Sequence, residues 1–303
     1  MLAAVSAAPI GRHSRAFAAV PVALALAAGV ACDTDFETAL AKREAARSLA
    51  AALRIDLHRS AEAAQSAVMA DDDESAAAAV HEAEEATAAI ERNLEALGPI
   101  LAGLRFADEE RLLQEFSQCL AKSREVDGTL LVLAVGNTNV KAQRLAFGPA
   151  REAADAFRDR LADALRSARG RDATRAELLA ARAELGVREI EVLEASHIPE
   201  PEDAAMTRLE GQMADAEAAA RRSLTELAAL LGAAASEPLG AARAELERFA
   251  ELQKQIVSLS RENSDVQSLA IALGNKRRLT AACDAGLAAL QESLAKHAWK
   301  ATR

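Results

Sequence analysis

The stretch MTRLEGQMADAEAAARRSLTELAALL (206–231) decides the fold class. Its apolar residues Met206, Leu209, Met213, Ala216, Ala220, Leu224, Leu227 and Leu231 recur at steps of three and four, which places them on one face of a helix and leaves Arg and Glu on the other. Pro201 precedes it, near a helix start where proline is tolerated. The same periodicity runs outward in both directions. It predicts helices near 36–70, 73–103, 108–135, 138–169 and 173–196 on one side, and near 238–273 and 276–300 on the other. Asp71-Asp72-Asp73 ends the first helix and supplies negative charge where the dipole of the second favours it.

Composition agrees with an all-α chain. Of 303 residues, 51% are hydrophobic, many of them Ala; aromatics are 3% and Tyr is absent, a poor supply for strands and a good one for closely packed helices. Helices of this length with short connections predict up-down four-helix packing. Two arrangements satisfy it: two four-helix bundles in tandem, over 32–170 and 171–303, or one elongated bimodular helical bundle. The choice turns on Gly170. An interior glycine costs only about 1 kcal/mol, so 138–196 is open to reading as a single continuous helix.

Two phrases suggest duplication, LVLAVGN (131–137) and LAIALGN (269–275). Each closes an apolar helix with Gly-Asn, and the interval from Gly136 to Gly274 is about one bundle long. Both Asn residues read as turn markers. Asn263 is different, because it falls on the seam formed by Phe249, Leu252, Ile256, Leu259, Val266, Ala270 and Leu273. A buried Asn in such a seam fixes pairing; the alternative is a turn toward the wet edge.

The first 31 residues read as a targeting segment. Arg12, His13 and Arg15 precede an uncharged run, Ala16–Ala31, that is shorter than the ~20 residues a membrane span needs. Cys32 follows small residues, the position of a lipidated Cys, although Gly29 stands where such signals carry Leu. Three fates are open: cleavage with lipidation at Cys32, cleavage to a soluble chain, or retention as an anchor through residues 16–31. All place the chain outside the cytoplasm, on the periplasmic side of the cell envelope. Cys119 and Cys283 fall near apolar faces, where buried free thiols are expected and pairing is the alternative.

The chemistry is sparse. A net charge of −10 with no basic, aromatic-rich block disfavours nucleic acid. No nucleophile elbow, phosphate loop or Cys-x-x-Cys-His is present, so no enzyme activity, cofactor or covalent haem is expected. Glu194-Ala195-Ser196-His197 alone has di-metal spacing, and it lies at a predicted helix end beside Pro199. His58 and His81 stand at similar heights in the first hairpin but outside its apolar stripes, so no metal site is assigned. Arg43, Arg47, Arg54 and His58 share the side of the first helix opposite Leu49, Leu53 and Leu57. This strip is the candidate ligand surface, since the planar Arg fork suits carboxylates; a solvated face paired with nearby acids is the other reading.

Gly136-Asn137-Thr138-Asn139-Val140-Lys141-Ala142 and Gly274-Asn275-Lys276-Arg277-Arg278-Leu279-Thr280, with Leu259-Ser260-Arg261-Glu262-Asn263-Ser264 before the second, carry a resemblance. An apolar helix, a Gly-Asn polar turn and an Ala-rich helix together resemble the later helices of the four-helix-bundle sensor domains of methyl-accepting chemotaxis receptors. The resemblance implies an extracytoplasmic bundle that detects a small solute such as an organic acid, at a dimer interface or between helices. Such receptors continue into a second membrane helix and a signalling coiled coil, whereas this chain stops at Trp299-Lys300-Ala301-Thr302-Arg303, so output is expected through a membrane receptor or kinase, or through a homodimer. The rival expectation is a structural or interaction protein of the cell envelope that binds no small molecule.

Overall fold

A computed structural model describes the backbone of residues 21–170 and 172–300, and the side chains of 37–170 and 172–297. The side chains of the leader and of Cys32, and residues 1–20 altogether, lie outside that description. The ordered elements are all helical: α1 (Pro21–Val68), α2 (Asp73–Leu104), α3 (Ala107–Gly136), α4 (Thr138–Leu145), α5 (Arg151–Leu165), α6 (Asp172–His197), α7 (Asp203–Leu231), α8 (Ser236–Glu262), α9 (Ser264–Ile271) and α10 (Arg277–Lys300). No described helix is long and apolar enough to cross a membrane.

The helices do not pack as two bundles in sequence order. One core gathers Leu53 and Leu57 of α1, Ile90 and Leu97 of α2, Phe116 of α3, and Leu287 and Leu290 of α10. The other gathers Phe157 of α5, Ile190 of α6, Met213 and Leu224 of α7, and Phe249 of α8. The expected boundary at Gly170 therefore falls inside the second core. There α5 ends, Gly170 takes a left-handed turn (φ 60°), and α6 returns beside α5, so 138–196 is not one helix. The molecule is the elongated bimodular bundle: hairpins α1–α2 and α6–α7 serve opposite ends. Two long broken helices, α3–α4–α5 and α8–α9–α10, lie side by side through both.

Both long helices break in the same way. Asn137 and Asn263 adopt the left-handed conformation (φ 50° and 51°), which Asn tolerates better than most residues, and each starts an eight-residue helix. A π-helical turn follows in each case, Ala146–Ala150 and Ala272–Lys276. Pro149 sits in the first, but the second has no proline, so the turn belongs to the shared geometry. The period relating these features is 126 residues. Gly136-Asn137 and Gly274-Asn275 are consequently not counterparts: Asn137 corresponds to Asn263, and Asn275 lies within a π turn instead of between helices.

The two breaks meet at the waist and cap each other. The Thr138 amide donates to Ser264 Oγ at 3.0 Å and the Ser264 amide donates to Thr138 Oγ1 at 3.0 Å. One residue on, the Asn139 amide donates to Asp265 Oδ2 (2.6 Å) and the Asp265 amide to Asn139 Oδ1 (3.2 Å). A helix start leaves amides without partners, and here each copy supplies them for the other. Asn263 is buried, accepting from Asn139 Nδ2 and donating to the Glu200 carbonyl. Of the two readings of the seam Asn, the pairing one holds. Gly136 permits the approach, since a Cβ there would stand 3.0 Å from Ser264 Oγ.

Cys119 and Cys283 form a disulfide joining α3 to α10, which corrects the expectation of free thiols. Their apolar faces were read correctly; what the sequence does not reveal is that α10 packs against α3.

Candidate functional site

A groove of about 580 Å³ opens in the first bundle beside the waist, within the range of small-molecule sites. Its walls are apolar, built from Ala64, Val68 and Met69 at the end of α1, Leu130 of α3, and Leu269 and Leu273 of the broken helix. The π turn before α10 matters here. It inserts one extra residue, so the helix changes face and brings Lys276, Arg277, Thr280 and Asp284 to the same opening.

These four polar residues differ in what holds them. Lys276 is buried and tied to Asp127 Oδ2 (2.6 Å) and Ser123 Oγ (3.0 Å). Asp284 accepts two bonds from Arg54 (2.6 and 3.0 Å) and contacts His58 Nε2 at 3.0 Å; the Arg54 guanidinium holds its carboxyl below the usual range. Arg277 is exposed and has no ion pair or hydrogen bond from its guanidinium among the described residues. Thr280 Oγ1 is buried and has no hydrogen-bond partner among the described residues. An unpaired cation beside an apolar wall suits an anion with a short apolar body.

The strip expected to bind ligand is divided among other tasks. Arg43 lies over the Phe106 ring (5.7 Å), which itself stacks on His297 and closes the far end of the bundle. Arg47 is exposed near Glu44 (4.0 Å) beside a shallow surface depression. Arg54 is committed to Asp284, and only His58 of the four lines the groove. The solvated-face reading thus describes Arg47, and ion pairing across helices describes Arg54 and His58. Three of the groove's polar residues, Lys276, Arg277 and Thr280, lie in the Gly274–Thr280 phrase, which reads as a polar turn because neither the π turn nor its distant neighbours are visible from spacing.

The Glu194–His197 pair, which has di-metal spacing in the sequence, lies inside the molecule. Both are buried, at 2% and 0% exposure. His197 bonds Ser260 Oγ at 2.7 Å through Nδ1 and Glu210 Oε1 at 2.9 Å through Nε2, and Glu210 is further held by Arg261. The Ser260 hydroxyl donates to the His197 carbonyl, which makes the cluster a tie between α6 and α8. Among the described residues no cluster of three or more His, Cys, Asp or Glu is placed to hold a metal ion. His81 is exposed and lies near Glu85.

The second bundle repeats the groove's position with different chemistry. At the 126-residue offset, Glu194 replaces Val68, Ala154 replaces Thr280, and the His58–Asp284 contact becomes Glu184–Arg158 (3.9 Å). Compared with models of known protein families and with curated proteins, the chain matches none.

Proposed function

We propose that this chain is an exported, membrane-tethered sensory or solute-binding protein of the cell envelope that detects a small organic anion and signals through a partner. The groove between α1 and α10 carries the reading, with Arg277 exposed and unpaired among the described residues beside an apolar wall. A carboxylate seated there would bridge the end of α1 to the broken helix that runs into both bundles. Such a ligand favours whichever arrangement of the two brings the groups to hydrogen-bond distance, and a partner reads that arrangement. The resemblance to chemotaxis-receptor sensor domains supports the same role. Tethering rests on residues 16–31 and Cys32.

A thermal-shift screen of the full chain against organic acids and amino acids tests it. At least one acid is expected to raise Tm in a concentration-dependent way by linkage, and Arg277→Ala is expected to weaken that acid by about tenfold or more, the loss of one charge-assisted contact. Silence across the panel, or an unchanged response in the Arg277 variant, would sink the reading and leave the rival, a structural or interaction protein of the envelope. The exposed apolar stripe on α6 favours that second role.

A further inference from the structure

Leu178, Leu185 and Val192 stand at seven-residue intervals on the outer face of α6, exposed to 51%, 64% and 67%. The duplication supplies an internal control. At the 126-residue offset α1 carries Ala52, Arg59 and Ser66, and Arg59 pairs with Glu82 and Glu85. The fold therefore does not require apolar residues at these three positions; on the same face α1 exposes Ile55 alone, where α6 has Ala181, so the heptad stripe belongs to α6. Ala181 and Arg188 flank the stripe on one side, and Arg182 and Glu189 on the other. Arg188 is bonded to Glu184 (3.3 Å), whereas the side chains of Arg182 and Glu189 have no partner among the described residues.

We infer that this face of α6 is a self-association surface, on which a second copy of the chain lays its own α6 in antiparallel register with Leu185 at the two-fold axis. In that register Leu178 meets Val192 of the second copy, closing a seam with small Ala181 at its edge. Antiparallel pairing sets like edges together, so Arg182 lies opposite Glu189 of the second copy, and Glu189 opposite its Arg182. On the other edge the two Glu184 carboxylates face each other across the axis, each held by its own Arg188. Glu177 and Glu191 form a second unfavourable pairing, on the outer flank where water screens it. A parallel pairing sets Glu184 beside Glu189 of the second copy and loses the match. A seam of three apolar side chains is small beside the ~800 Å² per partner of a standard interface, so the dimer is a reversible one. The association does not depend on whether the groove holds a ligand.

Sedimentation velocity over a concentration series, on the full chain with Cys32→Ser, tests the surface. A monomer–dimer equilibrium is expected, weakened about 100-fold by Leu185→Glu with helicity and Tm unchanged. Arg182→Glu alone weakens it about tenfold, and adding Glu189→Arg to the same chain restores it, because both cross-copy pairs are then reversed. For register, oxidation of a mixture of Leu178→Cys and Val192→Cys chains gives a cross-linked heterodimer, while Leu178→Cys alone does not. A monomer at every concentration, dimerisation indifferent to Leu185→Glu, no recovery in the reversed pair, or cross-linking of Leu178→Cys alone each overturns the inference.

Discussion

Glu194 takes a carboxyl into the second bundle with Oε1 unbonded among the described residues. Burial, and next the charge of Glu191, push it up to about 8 from an ordinary value of 4.5. Between those values the folded chain keeps a proton that the unfolded chain has released, so stability is full in acid and falls as pH rises, by up to about 1.4 kcal/mol per unit. Above about pH 8 the loss is complete. Glu194→Gln is expected to flatten the Tm profile between pH 5 and 8 and to be the more stable chain at the alkaline end. Parallel profiles for the two chains would show that Glu194 is solvated. Asp284 acts in the opposite sense: with its carboxyl lowered by Arg54, its contribution is present at neutral pH and is lost as pH falls. Neither behaviour is legible in the sequence, where Glu194 stands three residues from a helix end, a place that ordinarily meets water. It is buried because the waist closes over it.

The helices were legible because their apolar residues repeat every three to four positions, and the expected starts of α2 and α4 lie close to a real cap and a real break. Asp72 does cap α2, accepting from the Ser75 amide at 2.6 Å. The elements that periodicity misses are those that interrupt it. A π turn adds one residue without a composition signal, and the left-handed Asn263 lies inside what reads as one seam from Phe249 to Leu273. Its presence there was the one visible irregularity. Because Thr138 and Ser264 cap one another, truncating either strands a buried amide. Ser264→Ala is expected to cost about 1–3 kcal/mol in urea unfolding, against a few tenths for Ser264→Thr if the added methyl fits. Equal stability of wild type and Ser264→Ala would mean that water replaces the hydroxyl at the waist. The groove depends on the same elements, since Arg277 and Thr280 reach it only after the π turn has changed the helix face.

Across the molecule, duplication was legible but its period was not, because Gly-Asn recurs by coincidence at non-equivalent positions while the true counterparts, Asn137-Thr138-Asn139 and Asn263-Ser264-Asp265, match in chemistry more than in letters. The partition was hidden for a plainer reason: no local pattern says that α10 crosses to the bundle of α1. The Cys119–Cys283 disulfide, spanning 164 residues, fastens that crossing. Reduction is expected to lower stability by about 2–4 kcal/mol through the entropy returned to the unfolded chain, and a Cys119→Ser/Cys283→Ser chain should match the reduced protein and ignore reductant. A reductant effect surviving in that chain would place the redox-sensitive group elsewhere. The crossing also orders events in time. Arg54 waits for Asp284, 230 residues later, and the Ala50 carbonyl waits for Gln291, 241 residues later. The first helices to leave the ribosome are thus the last to find their full set of neighbours. Until α10 arrives, the faces of α1 to α3 stay open to chaperones, and any pore that admits only unfolded chain has the whole length of synthesis in which to capture it.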